Sequence, residues 1–259
     1  MLSFNQANFI YEPYPIGVAP EILESDFYQR LVDSFPPQEL FDFMPLHGNK
    51  YSLSELNNPN AYHQYVRSNE PWREFHRWIK RREFPSEILA MLCQHNIDLD
   101  VPTVDGNGAS AEPSVLAKLT RRRQAPPRSG LGARFEFSML PAEGGFIKPH
   151  TDSPQKIITL VIAILPPGEW NPSFGGGTEV LRPRDIKNNY NYKNRYLEFD
   201  EVETLATFDY KPNNCVIFIK TFNSLHGVRP MKATDPKLMR KTLTINIESI
   251  DRAPEIANY

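Results

Sequence analysis

Between residues 133 and 249 the chain carries eight short runs rich in β-branched and aromatic residues, at 133–140, 147–153, 157–165, 178–182, 205–210, 215–220, 225–231 and 242–249. Such runs, bounded by Gly, Pro, Asn and Asp, read as strands, and a close series of them fits a two-sheet jelly roll. Ile157–Leu165 is a continuous apolar run but for Thr159, of the kind a buried strand shows. The run at 134–140 alternates, and Pro141–Gly145 follows it as a turn. Arg240–Ile247 alternates too, with Arg240, Thr242, Thr244 and Asn246 on one face and Leu243, Ile245 and Ile247 on the other. Gly175–Gly177 marks a bend or a close backbone approach. It is no phosphate loop, because no helical pattern follows it.

The first half of the chain reads differently. Residues 9–20 suggest a short, proline-interrupted strand at a sheet edge. From Glu21 to Phe35 apolar residues recur at helical spacing, and Pro36-Pro37 ends the run. Two further helical stretches cover Pro71–Ile79 and Pro85–Cys93. In the first of these Trp72, Phe75, Trp78 and Ile79 form a stripe that belongs in a core. Residues 38–70 are mixed, with a loop at Asn57–Asn60. Residues 101–130 read as a long loop of the kind that serves as a lid or stays disordered. It holds the basic cluster Arg121–Arg123, which either meets an acidic substrate or forms a solvated face. Residues 184–204 read as an insertion between strands, whose tyrosines line an entrance or pack down a surface loop. The expected division is an N-terminal strand and helical region, 1–125, packed on a β core, 126–259. The fold class is mainly β with flanking helices (α+β).

At 259 residues the chain makes one large domain or one and a half. A formal charge of −2 gives no pull towards nucleic acid or an anionic membrane. Cys93 and Cys215 cannot build a disulfide scaffold, so a reducing, cytoplasmic setting is expected. No apolar run of the roughly 18 residues needed to span a bilayer occurs, and the N-terminus lacks a signal-peptide pattern.

The chemistry concentrates in Lys148-Pro149-His150-Thr151-Asp152 and, far downstream, Leu225-His226-Gly227-Val228-Arg229-Pro230. With His150 and Asp152 on one strand, the two-residue period turns both side chains to the same face. His226 completes a set of two imidazoles and a carboxylate if the fold returns it to them. That set is the facial triad of non-haem Fe(II) oxygenases, which leaves positions open for a cosubstrate and O2. Arg240 leads a polar strand face suited to holding an acid, since a guanidinium binds a carboxylate bidentately and keeps its charge. His47, His63, His76 and His95 show no partnered spacing.

His150-Thr-Asp152, Gly175-Gly-Gly-Thr-Glu-Val-Leu181, the distal Leu225–Pro230 and Arg240–Ile247 together resemble the 2-oxoglutarate- and Fe(II)-dependent dioxygenases of the prolyl 4-hydroxylase-like superfamily. The resemblance covers roughly residues 126–250, with a weaker echo in residues 13–36. It implies a double-stranded β-helix, or jelly roll. It places Fe(II) on His150, Asp152 and His226, and the far carboxylate of the cosubstrate 2-oxoglutarate on Arg240 and Thr242, with Lys241 as a rival. Alternation favours Arg240, because Lys241 shares a face with Leu243 and Ile245. The implied reaction consumes O2, releases succinate and CO2, and hydroxylates an unactivated C–H. Asp152 argues against halogenation, whose enzymes lack that carboxylate. The substrate is left open between an amino acid, a peptide or protein residue such as proline, and another small molecule. Alternation puts Arg134, Glu136 and Ser138, with Lys148 or Lys156, beside it. The competing class is a non-catalytic jelly-roll binding or sensing domain that keeps the metal site.

Overall fold

The chain enters through two short antiparallel strands, β1 (Asn8–Ile10) and β2 (Ile16–Ala19), and then helix α1 (Ser25–Asp33). A hairpin, β3 (Asp42–Met44) and β4 (Lys50–Ser54), leads to three helices, α2 (Pro59–Ser68), α3 (Glu70–Ile79) and α4 (Phe84–Gln94). The remaining strands are β5 (Leu131–Pro141), β6 (Ile147–His150), β7 (Lys156–Ala163), β8 (Thr178–Pro183), β9 (Val202–Phe208), β10 (Cys215–Ile219), β11 (His226–Val228) and β12 (Met239–Ser249). The structure is a computed structural model, and it describes residues 1–100 and 130–250. The expected domain boundary at 125/126, the Arg121–Arg123 cluster and the loop up to residue 129 lie outside the described residues.

From β5 onward the chain passes between two antiparallel sheets. The larger has the order β1-β2-β10-β7-β12-β5-β4-β3 and the smaller β6-β11-β8-β9. Strands β5, β7, β10 and β12 form the centre of the large sheet, and β6, β8, β9 and β11 make up the small one, so the chain is a double-stranded β-helix. Each expected run from 133 to 249 forms a strand, with ends moved by a few residues. The N-terminal strands extend the large sheet on both edges. β2 pairs with β10 outside the barrel on one side, and β4 pairs with β5 on the other. The sequence suggested one edge strand over 9–20. It forms two, and only β1 lies at the edge. The hairpin β3-β4 and helix α2 emerge from the stretch that reads as mixed. Their cause is tertiary: β4 is short, and its buried Ser52, Leu53 and Ser54 are all paired with the distant β5.

The large sheet has two different faces. Phe135 and Phe137 of β5, Leu160 and Ile162 of β7, and Leu243, Ile245 and Ile247 of β12 point to the helices, where Trp72, Phe75 and Ile79 of α3 are fully buried against them. The ring centroid of Trp72 lies 4.6 Å from that of Phe137, edge to face. Each such side chain contributes about 1.5–3 kcal/mol of burial. The other face, with Glu136, Ser138, Thr159, Arg240, Thr242 and Thr244, lines the space between the sheets. The alternation in β5 and β12 thus sorts the helix-facing core from the cavity. No helix among the described residues is long and apolar enough to cross a membrane.

Candidate active site in the barrel

The two histidines come from neighbouring strands of the small sheet. His226 of β11 pairs directly opposite His150 of β6, and their ring centroids are 4.4 Å apart. Each ring is fixed the same way. His150 Nδ1 lies 2.9 Å from the Lys148 carbonyl, and His226 Nδ1 lies 3.0 Å from the Ser224 carbonyl. A carbonyl only accepts, so each Nδ1 carries the proton and each Nε2 is left with its lone pair. Burial pushes both imidazoles down, and the neighbouring His226 pushes His150 further, to about 3. Both rings are therefore neutral in the range where proteins operate.

Asp152 reaches the same spot by a route other than strand alternation. β6 ends at His150, and Asp152 sits two residues beyond it with φ +66°. Left-handed backbone needs support in a non-glycine residue, although Asp tolerates it better than most. Lys220 supplies that support. Its ammonium donates to the Thr151 carbonyl (2.8 Å), the Thr151 hydroxyl (2.9 Å) and the Asp152 carbonyl (2.9 Å). The carboxylate then stands with Oδ1 3.8 Å from His150 Nε2. Ligand atoms of His150, Asp152 and His226 all lie within 4.8 Å of one another. Lys156 donates to Asp152 Oδ1 at 2.8 Å, and Thr159 Oγ1 lies 3.1 Å from Oδ2. Burial raises the Asp152 carboxyl, but Lys156 and the two histidines outweigh it and hold the group well below the usual carboxylate range. Two neutral imidazole lone pairs and one ionised carboxylate are a donor set that fits a divalent transition metal.

These groups open into a cavity of about 600 Å³, a volume normal for a small-molecule site. Arg240 and Thr242 line it, with Leu140, Val161, Phe218 and Val228 as apolar wall. Arg240 is only 4% exposed and has no carboxylate partner among the described residues. Its Nε donates to the Gly176 carbonyl at 2.7 Å, and its guanidinium lies 4.7 Å from the Tyr210 ring centroid. Gly176 has φ +82°, and a Cβ there would sit 2.9 Å from Trp170 Cζ2. The bend expected at Gly175–Gly177 thus presents a carbonyl to Arg240. Lys241 lies on the opposite face, its ammonium 5.8 Å from the Phe35 ring. It is therefore turned away from the cavity. A buried guanidinium without a carboxylate partner is costly to desolvate and is chemically able to receive an acid.

Of the other residues expected here, Glu136, Ser138, Lys148 and Lys156 line the cavity. Arg134 is instead taken up by Glu248, 2.7 Å away. From the 184–204 segment Asn194 and Tyr196 reach the mouth, and Tyr196 stacks on His150 at 5.6 Å. Tyr190 stacks on Phe222 at the surface. Nothing in the sequence pattern marks Lys220, Thr159, Tyr210 or the mouth residues Met44, Leu46, His47 and Lys50. They come from distant stretches that only the fold brings round.

No protein-family profile and no curated protein matches the chain. Among solved structures it is similar to a Pseudomonas putida prolyl-4-hydroxylase, at 13% identity over 90% of this chain and 91% of that one, with a TM-score of 0.44. It is similar to SnoN, a non-haem α-ketoglutarate-dependent epimerase from nogalamycin biosynthesis (11% identity, 93% and 80% covered, TM-score 0.48). A third similar structure is HygX from Streptomyces hygroscopicus, with nickel, 2-oxoglutarate and hygromycin B bound (9% identity, 90% and 82% covered, TM-score 0.42).

Proposed function

We propose that the protein is an Fe(II)- and 2-oxoglutarate-dependent dioxygenase that hydroxylates an unactivated C–H of an amino acid, a peptide or protein residue, or another small molecule. The observation that carries this reading is the pairing, in one cavity, of the His150–Asp152–His226 cluster with a buried Arg240 that has no carboxylate partner among the described residues. A pure structural metal site has no use for the arginine, and a pure acid-binding site has no use for the cluster.

His150 and His226 would hold the metal through Nε2, since Nδ1 of each is spent on a backbone carbonyl. Asp152 would hold it through its carboxylate. Arg240 would receive the far carboxylate of 2-oxoglutarate, oriented by Gly176 and Tyr210, with the Thr242 hydroxyl beside it on the same strand face. Bound iron, with O2 and 2-oxoglutarate, supplies the oxidising chemistry that ends in succinate, CO2 and a hydroxylated product. Leu140, Val161, Phe218 and Val228 keep water from that chemistry and strengthen the charge interactions inside. Tyr196 and the hairpin residues at the mouth position the substrate.

The test is an anaerobic titration of metal-free protein with Fe(II) and 2-oxoglutarate, watching for the visible charge-transfer band of the chelate. The band should form in the native protein, vanish in His226→Ala, and need at least about tenfold more 2-oxoglutarate in Arg240→Ala, a loss of about 1.4 kcal/mol or more. Absence of the band from folded native protein would leave a jelly-roll binding module as the better account.

A further inference from the structure

On the proposed chemistry, the charges in the cavity divide into two groups. A metal dication, the Asp152 carboxylate, the two carboxylates of 2-oxoglutarate and the Arg240 guanidinium cancel among themselves. Lys148, at the mouth, is paired with Glu198. Among the described residues, Lys50, Lys156 and Glu136 remain facing the cavity.

These three form a fixed wall. Glu136 Oε1 is held by the Lys50 ammonium at 2.5 Å and by the Ser52 hydroxyl at 3.1 Å. Ser52 is itself oriented by Asn57, whose Nδ2 donates to it at 2.7 Å. Arg134 lies no nearer to Glu136 than 3.9 Å, and its charge is matched by Glu248. Lys156 stands 2.8 Å from Asp152 Oδ1, the oxygen that also faces His150. A dication at that carboxylate would share Oδ1 with Lys156, whose only carboxylate partner among the described residues it is. The wall then presents two cations against one anion, with side chains only 27% (Lys50), 22% (Lys156) and 14% (Glu136) exposed. A surplus charge so poorly solvated calls for an anion.

We infer that the substrate is a small organic acid with one net negative charge, its carboxylate received between Lys50 and Lys156 while Glu136 holds Lys50 in place. This rests on the function proposed above. The cavity volume suits a small molecule beside the cosubstrate.

The experiment uses protein loaded with Fe(II) and 2-oxoglutarate under argon, with the charge-transfer band established first. Absence of the band would count against the proposed function itself. To the banded protein one adds matched probes: N-acetyl amino acids and their carboxamides, with free glutamate against glutamine. Acids should shift the band and raise the melting temperature, with half-saturation at least tenfold below that of the matched neutral amide. Lys50→Gln and Lys156→Gln should each cut that preference below threefold. Lys50→Gln does not touch Asp152, so it reads the wall even if Lys156→Gln disturbs the metal site. Equal binding of amides, no response to any acid, loss of the band through competition with 2-oxoglutarate, or a preference that survives Lys50→Gln would overturn the inference.

Discussion

Lys220 does not line the cavity, yet it holds the turn that presents Asp152. Three hydrogen bonds from one ammonium fix a left-handed residue two positions past the end of a strand. Lys220→Met removes all three and leaves Asp152 to relax. Metal affinity, read by calorimetry, should fall roughly 10–100-fold, the usual cost of losing a support behind a ligand. An unchanged affinity would mean that Lys156 and Thr159 suffice. Gly176 acts likewise for Arg240. Gly176→Ala places a methyl against Trp170 on a backbone that L side chains avoid, and the carbonyl that orients the guanidinium must move. The 2-oxoglutarate dissociation constant should rise on the order of tenfold, about 1.4 kcal/mol, with metal affinity little changed. At this scale the sequence is informative about types and silent about supports. His150, Asp152 and His226 stand out as metal-binding types. Lys220 and Tyr210 carry no mark, because their roles depend on pairings across 69 and 31 positions.

The elements were readable where local pattern and burial agree. β5 and β12 alternate in sequence because one face meets Trp72 and Phe75 while the other meets the cavity, so their register follows from the pattern. β4 and α2 carry no such pattern. Asn58, just before α2, makes no side-chain bond to that helix; it accepts from Ser54 N and donates to Leu40 O, a bond across 18 positions that local reading misses. The end of β4 is tied to α3 by Glu55, whose Oε1 is 2.6 Å from the Lys80 ammonium and 3.5 Å from His76 Nε2. Burial pushes the Glu55 carboxyl up, but His76 and Lys80 outweigh it and bring it down to about 2 from 4.5. A carboxyl lowered by folding stabilises fully above its ordinary value and loses that contribution as pH falls through the folded one. The relevant window is thus from about 4.5 down to about 2. Glu55→Gln should lower stability at neutral pH by up to about 3 kcal/mol and flatten the acid limb of a denaturant-midpoint profile across that window. A steep limb that persists in the variant would assign acid lability elsewhere.

For the molecule as a whole, the jelly roll follows from eight strand runs and their spacing, because two antiparallel sheets admit few ways to bury so many apolar faces. The cavity does not follow from them. Its lining includes Met44, Leu46, His47 and Lys50 from the β3-β4 hairpin and Asn194 and Tyr196 from the segment after β8, alongside residues of both sheets. The central claim is that the triad and Arg240 serve one bound complex. The direct measurement is paired calorimetry, with Mn(II) as an oxygen-tolerant stand-in for iron and then 2-oxoglutarate, on the native protein, His226→Ala and Arg240→Ala. The account predicts a single metal site, 2-oxoglutarate binding that depends on the metal, loss of both in His226→Ala, and in Arg240→Ala a metal affinity within about threefold of native beside a 2-oxoglutarate affinity weakened at least about tenfold. Metal binding that survives His226→Ala, or 2-oxoglutarate binding indifferent to both the metal and Arg240, would contradict it.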